Sequence, residues 1–288
     1  MKFRILCALI FACVLCGGWL LSPLMINPSV PDVVLASDEA TLERGRYLVH
    51  AGGCISCHEG EPGGLSGGMA IESPFGTFYA SNITPDPTTG TGNWSAADYV
   101  RAIKHGRSPD GVFYFPAFPY RSYAAVSDGD AVAIASWLAT QPAVVNEVPD
   151  HQLAGWMARW QLAAWNRLAD LSEPAPPVYT DPQLERGALL ARNLGHCGEC
   201  HSPRNALGIT DYSREFAGGE MSDGHVQAIN AEALAGWSEE DLALFLWLGL
   251  KPDGEYVGGK IEPVIEHNTG QLTEEDRQAM AAFFKRGL

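Results

Sequence analysis

Two short runs in the chain have residue types and spacing that can do chemistry: Cys54-Ile-Ser-Cys57-His58 and Cys197-Gly-Glu-Cys200-His201. Two thiols about one helical turn apart can form thioethers with the two vinyl groups of one haem. The histidine that follows then lies under the iron as its proximal ligand. Each run is therefore read as the covalent attachment site of one haem c, two in all. Cys54, Cys57, Cys197 and Cys200 would hold the groups, and His58 and His201 would ligate the irons. Zinc competes for such cysteines, but it needs two pairs close together in one module, and each module here has a single pair. A redox dithiol would sit in a strand–helix context, which neither run has.

The elements that must position these residues come in two copies. An offset of 143 residues carries Cys54 onto Cys197, His58 onto His201, Trp94 onto Trp237, Asp98 onto Asp241 and Gly106 onto Gly249. Glu43-Arg44-Gly45 likewise precedes the first pair as Glu185-Arg186-Gly187 precedes the second, and Asn82 is matched with Asn230. Ser95-Ala-Ala-Asp98 and Ser238-Glu-Glu-Asp241 predict capped helix starts, and Gly106 and Gly249 predict their ends. Ser127-Asp-Gly-Asp130 and Thr273-Glu-Glu-Asp276 open a last helix in each copy, with Met280 at core spacing from Phe283 and Phe284. No alternating strand is evident, and residues 60–68 and 84–92 are too rich in Gly, Pro, Ser and Thr for long regular elements. The fold class expected is all-α: a few helices and long loops in each copy, packed on a large prosthetic group.

Four segments result. Residues 1–36 form an N-terminal anchor and tether, 38–150 the first haem module, 151–180 a linker and 181–288 the second module. Lys2 and Arg4 precede the uncharged residues 5–26. At about 1.5 Å per residue that stretch is long enough to cross a hydrocarbon core of about 30 Å. It predicts an uncleaved transmembrane helix in a bacterial inner membrane, with the haem modules outside the cytoplasm. Cleavage after Ala36 is the alternative. Cys7, Cys13 and Cys16 lie in this segment, so none of the seven cysteines is left for a disulfide framework. The linker carries Trp156, Trp160 and Trp165 and ends in Pro174-Ala-Pro-Pro177, a stiff spacer. Its tryptophans are read as packing a helix across the module boundary, with contact of Arg159 and Arg167 to lipid headgroups as the alternative.

The 288 residues hold 34 Asp+Glu against 19 Lys+Arg, a formal charge of −15, which argues against a nucleic-acid binder. The excess is spread over both modules and suits docking to a basic redox partner.

The chain resembles the membrane-anchored multi-haem c-type cytochromes that serve as electron-transfer subunits of bacterial alcohol and aldehyde dehydrogenases. The residues that carry this are Gly52-Gly53-Cys54-Ile-Ser-Cys57-His58, Pro74-Phe-Gly76, Asn82-Ile-Thr-Pro-Asp86, Phe115-Pro-Ala-Phe-Pro-Tyr120 and Gly195-His-Cys197-Gly-Glu-Cys200-His201-Ser-Pro-Arg-Asn205. The resemblance implies two tandem class I cytochrome c domains in the periplasm. They would carry electrons from a dehydrogenase or quinol-linked donor to a cytochrome or terminal oxidase, with no catalytic residues of their own. One departure is plain: Phe118, and Ile261 at the matching place, stand where relatives carry the methionine that is the sixth iron ligand. His105, aligned with Leu248, is the candidate replacement at the first haem, against a reading as a helix-ending cation. At the second, His225, His267, Lys260 and Met221 all have the chemistry, and Met221 is the candidate named. Met69 also lies in a loop, whereas His50, His151 and His196 are read as ordinary polar residues. An open sixth position would instead suit a peroxidase-like or thiosulfate-oxidising haem enzyme.

Overall fold

Ser95 accepts from the Asp98 backbone N–H while Asp98 bonds back to Ser95, and Ser238 and Asp241 do the same. These reciprocal boxes start α4 (Ala96–His105) and α10 (Glu239–Leu248) in a computed structural model that describes residues 2–221 and 224–288. Gly106 and Gly249, at φ +59° and +71°, end the two helices in the left-handed region that glycine enters without penalty.

The other elements, in chain order, are α1 (Lys2–Leu21), α2 (Glu39–Ala51), α3 (Cys54–His58), β1 (Ala70–Ser73) and β2 (Gly76–Tyr79) before α4. After it come α5 (Tyr120–Tyr123), α6 (Asp128–Ala139), β3 (Gln152–Leu153), α7 (Gln161–Ser172), α8 (Pro182–Ala188), α9 (Gly198–His201), β4 (Gly219–Met221) and β5 (Gly224–Val226). After α10, α11 (Ile261–His267) and α12 (Glu274–Arg286) complete the chain. The same helix pairing occurs twice: α2 crosses α6, and α8 crosses α12. At the crossings Gly45 lies against the Ala133 carbonyl and Gly187 against the Ala279 carbonyl. One apolar core runs through both copies, joining Leu48, Val49 and Ile134 to Leu190, Leu194, Met280 and Phe283. A smaller core of Phe78, Phe113, Phe115 and Leu162 lies beside it.

The all-α expectation is corrected: short strands accompany the helices. β1 pairs antiparallel with β2, β2 with β3, and β4 with β5. These strands have two to four residues, too few for a period-2 pattern to stand out.

The expected membrane anchor is also corrected. Residues 2–21 do form α1, but no helix among the described residues is long and apolar enough to cross a membrane. The end of the segment rests on the protein instead. α1 packs against α7, the Arg167 guanidinium lies 5.4 Å over the Trp19 ring, and Arg167 donates to Ser22. Arg107 donates to the carbonyls of Pro23 and Ile26. The inner-membrane placement that rested on this anchor falls with it. Arg159 is likewise engaged by protein, donating to the Phe113 carbonyl and lying over Phe115. α7 reaches both copies: Asn166 accepts from Tyr120, and Trp165 donates to the Leu207 carbonyl.

Within the second copy Asp276 takes a two-pronged bond from Arg186 (2.7 and 2.6 Å), and across the copies it accepts from the Tyr47 hydroxyl. Burial pushes the Asp276 pKa up, but the Arg186 and Tyr47 bonds outweigh it and hold the carboxyl below its usual range. A depressed carboxyl pKa stabilises the fold fully above the unfolded value of about 3.9, and this is lost as pH falls through the folded value. Asp276→Ala is therefore expected to cost about 2–3 kcal/mol at pH 7. In urea titrations the gap to the unaltered protein should close below about pH 4. A gap independent of pH would assign the loss to packing alone.

Candidate haem-attachment sites

Both cysteine runs begin where a helix is turned back on itself. α2 ends with the Gly52 N–H on the Leu48 carbonyl (2.7 Å), and Gly53 at φ +66° redirects the chain into α3. In the second copy the turn is one residue wider. Residues Leu189–Leu194 are π-helical, and the Gly195 N–H reaches the Leu190 carbonyl at 2.6 Å. His196 occupies the place of Gly53, and it too has positive φ, +39°. That conformation costs a non-glycine residue roughly 1–2 kcal/mol.

Cys54 and Cys57 stand three apart on α3, so they share one helix face; Cys197 caps α9, with Cys200 in its last turn. No two of the seven cysteines are joined as a disulfide. Burial, followed by the charge of the neighbouring cysteine, pushes the Cys54 and Cys197 thiols up to about 12. Burial also raises Cys57, where Cys200 is the second cause, and Cys200, where Glu199 is.

The histidines are held alike. His58 Nδ1 donates to the Ser81 carbonyl and His201 Nδ1 to the Gln227 carbonyl, both at 2.7 Å. The surrounding backbone repeats as well. Gly67 N–H meets the His58 carbonyl and Gly218 N–H the His201 carbonyl, both at 2.8 Å. Ile83 N–H meets Leu65, as Ile229 N–H meets Phe216. Ile83 thus corresponds to Ile229, which shifts the equivalent of Asn82 from Asn230 to Ala228. With Nδ1 committed as a donor, Nε2 of each ring keeps its lone pair for a metal. Burial lowers both histidine pKa values and keeps the rings neutral, the form that ligates.

The donor set fits a haem: a cysteine pair on one helix face, then a neutral imidazole with its far nitrogen unengaged. Apolar surface is to hand in the second copy. Of α10 only Leu242 is fully buried, while Trp247 and Leu248 remain 49% and 42% exposed. Zinc fits less well, since the described residues contain no group of three or more His, Cys, Asp or Glu arranged to hold a metal ion.

The residues considered for the sixth position are scattered. His105 is half-buried at the end of α4, among Lys104, Arg101, Arg107 and Asp128; burial and then Lys104 lower its pKa. Phe118 sits in an aromatic group with Tyr114, Tyr120 and Tyr123. Ile261 opens α11, which packs on α3, the cysteine helix of the other copy. Met221 and Met69 are 36% and 44% exposed, and Met280 is in the core. His225 bonds Glu220 on the exposed hairpin, and His267 lies 3.7 Å from Glu59. Lys260 precedes α11 and exerts its charge on Cys200. His50 donates to the His267 carbonyl, and His151 lies between Phe78 and Phe115.

Residues not singled out in the sequence tie the two sites together. Ser56, between the first two cysteines, donates to Asn268 Oδ1 (3.0 Å). Ser122 donates to Glu199 Oε1 (2.9 Å), and Glu199 lies between the second two. These are one contact made twice. Ser56 corresponds to Glu199 by the offset of 143, and Ser122 to Asn268 by the offset of 146 that relates Ser127 to Thr273. The Tyr123 hydroxyl donates to the Gly52 carbonyl (2.5 Å), and its ring meets half-buried His196 edge-on at 5.6 Å. The change of offset between the two last-helix starts was the available signal.

Paired cysteine helices with pinned imidazoles, held in a mainly helical fold, define the class: a c-type cytochrome. The chain is 40% identical over 280 residues to the diheme cytochrome c-type protein of Cereibacter sphaeroides, covering 94% of this chain and 92% of that one. It is 36% identical over 268 residues to the gluconate 2-dehydrogenase cytochrome c subunit of Pantoea cypripedii. It is 34% identical over 269 residues to the cytochrome c subunit of the quinone alcohol dehydrogenase of Gluconobacter oxydans. Each match covers 86% of this chain, which spans 60% and 55% of those two subunits. No protein-family model matches. The chain belongs to the di-haem c-type cytochromes, electron-transfer proteins rather than enzymes in their own right.

Proposed function

We propose that the chain holds two covalently attached haems c, in units spanning 38–150 and 181–288 joined by 151–180. Cys54 and Cys57 would form the thioethers of the first and Cys197 and Cys200 those of the second. His58 and His201 would be the proximal iron ligands. When bound, each haem supplies a one-electron couple whose potential follows from its axial ligands and burial. The chain's own residues hold and orient the group: the Ser81 and Gln227 carbonyls fix the imidazoles, and Gly53 and His196 redirect the backbone into each cysteine helix. The matched Nδ1 bonds are the observation that carries this reading.

His105 and Met221 are the proposed sixth ligands. His105 lies beside Gly106, which packs on the Tyr120 ring of the Phe118 segment, and the strand of Met221 starts against the Cys200 carbonyl. The proposed donor is a dehydrogenase or a quinol-linked protein, and the acceptor a cytochrome or oxidase with a basic docking face. Relatives named as dehydrogenase subunits support the donor, and the formal charge of −15 supports the acceptor's sign. The test is an alkaline pyridine haemochrome spectrum of the purified protein. Two haems c per chain that survive acid–acetone extraction are expected. Extractable haem, or none, would overturn the proposal.

A further inference from the structure

The two copies differ in chemistry where they touch. The contact made twice between them joins a serine to an amide on one side, Ser56 to Asn268, and a serine to a carboxylate on the other, Ser122 to Glu199. Glu199 is thus a charged group of the second cysteine helix at the boundary between the copies, in a position that is neutral in the first copy.

Its surroundings fix it there. Glu199 Oε1 accepts from Ser122 of the first copy, and Oε2 accepts from Arg204. Arg204 also donates to the Glu199 backbone carbonyl (2.8 Å) and to the Gly208 carbonyl (2.7 Å), so its guanidinium has a fixed place. The Asn193 amide donates to the Ser122 carbonyl (3.1 Å), holding the serine from the other side. The Glu199 side chain is only 25% exposed, which limits solvent screening. The Glu199 charge reaches Cys200, His196 and Tyr123, and Tyr123 in turn lies within electrostatic reach of Cys54 and Cys57.

We propose that Glu199 is a positioning residue whose single negative charge, held across the boundary between the copies by Ser122 and Arg204, is shared by both haem sites and lowers both reduction potentials, the second more than the first. The reasoning is Coulombic. Each iron loses one positive charge when it takes up one electron, and a fixed anion nearby favours the more positive, oxidised form. Removing the anion also leaves the Arg204 cation unopposed, which acts in the same direction. The larger effect falls on the second site because Glu199 lies between its two cysteines, whereas the first is reached through Ser122 and Tyr123.

The inference rests on haem being attached at both sites, so haem content is read first and separately. The experiment is a spectroelectrochemical titration of the intact protein and of Glu199→Gln. Both midpoint potentials are expected to rise. At the second site the ratio of reduced to oxidised iron at a given potential should change up to about tenfold, which is about 59 mV for one electron. Ser56→Ala removes the matching uncharged contact and should leave both potentials in place. Ser122→Ala keeps the charge but frees its tie to the first copy, so the potential of the first site alone should move. Glu199→Ser installs the residue of the first copy and serves if the glutamine variant folds poorly. Unmoved potentials in both Glu199 variants, with two haems present, would overturn this inference and leave the proposed function standing. So would Ser56→Ala shifting the potentials as far as Glu199→Gln. Absence of covalent haem from the unaltered protein would overturn both.

Discussion

Gly45→Ala and Gly187→Ala are each expected to destabilise the protein by about 3 kcal/mol or more, seen as a large fall in the urea midpoint with little change in slope. A Cβ on Gly45 would run into the Ala133 carbonyl oxygen, 2.6 Å from its carbon and 2.9 Å from Trp137 Cβ. A Cβ on Gly187 would meet the Ala279 carbonyl in the same way, 2.7 Å from its carbon and from Phe283 Cβ. The obstacle is backbone of the crossing helix, so relief requires moving a helix rather than turning a side chain. Opposing this is the helix propensity of alanine, worth about 1 kcal/mol over glycine. The clash is the larger effect. At an uncrowded helix position the same substitution would stabilise, and a neutral or stabilising result would show that the pairs α2–α6 and α8–α12 are not packed this closely.

Cys197→Ala combined with Cys200→Ala is expected to reduce covalent haem from two per chain to one. Densitometry of haem-stained denaturing gels, normalised to protein, would check this, with the Cys54→Ala/Cys57→Ala pair giving the complementary loss. The loss should be nearly complete at the altered site, because a single thiol can still form one thioether and the double variant leaves none. Packing effects are the lesser part. Cys197 and Cys200 are partly exposed, so truncation to alanine removes one sulfur each without opening a large cavity. Haem content unchanged in the double variant would sink the assignment of the second site.

Much of the local structure was legible from residue order. Ser95 with Asp98 and Ser238 with Asp241 act through bonds spanning three residues, so their pattern is complete within one turn of chain. Gly106 and Gly249 were readable for the same reason. The cysteine runs could be recognised because their chemistry depends on a spacing written directly in the chain. The junction of the sites was not legible. Ser56 meets Asn268 across 212 residues and Tyr47 meets Asp276 across 229, and no local pattern encodes such partners. The sheet was missed because strands this short are shaped by neighbours, such as the pairing of Gly76 with Leu153. The N-terminal segment was misread because hydropathy counts a window's composition and ignores which surface receives it. Trp19 and Ser22 are received by Arg167.

The paired contact between the copies has one more consequence. Ser56 with Asn268, and Ser122 with Glu199, join patch A to patch B and then B to A, which is how identical subunits meet in an isologous dimer. Two separate chains would hold such an interface only in proportion to their concentration. Joined through residues 151–180, the halves meet at an effective concentration set by the connection, and dilution cannot part them. Fusion also ends the requirement that both sides be alike, because each half is now encoded separately. A symmetric dimer must carry a given charge on both subunits or on neither; this chain can carry Glu199 on one side and Ser56 on the other.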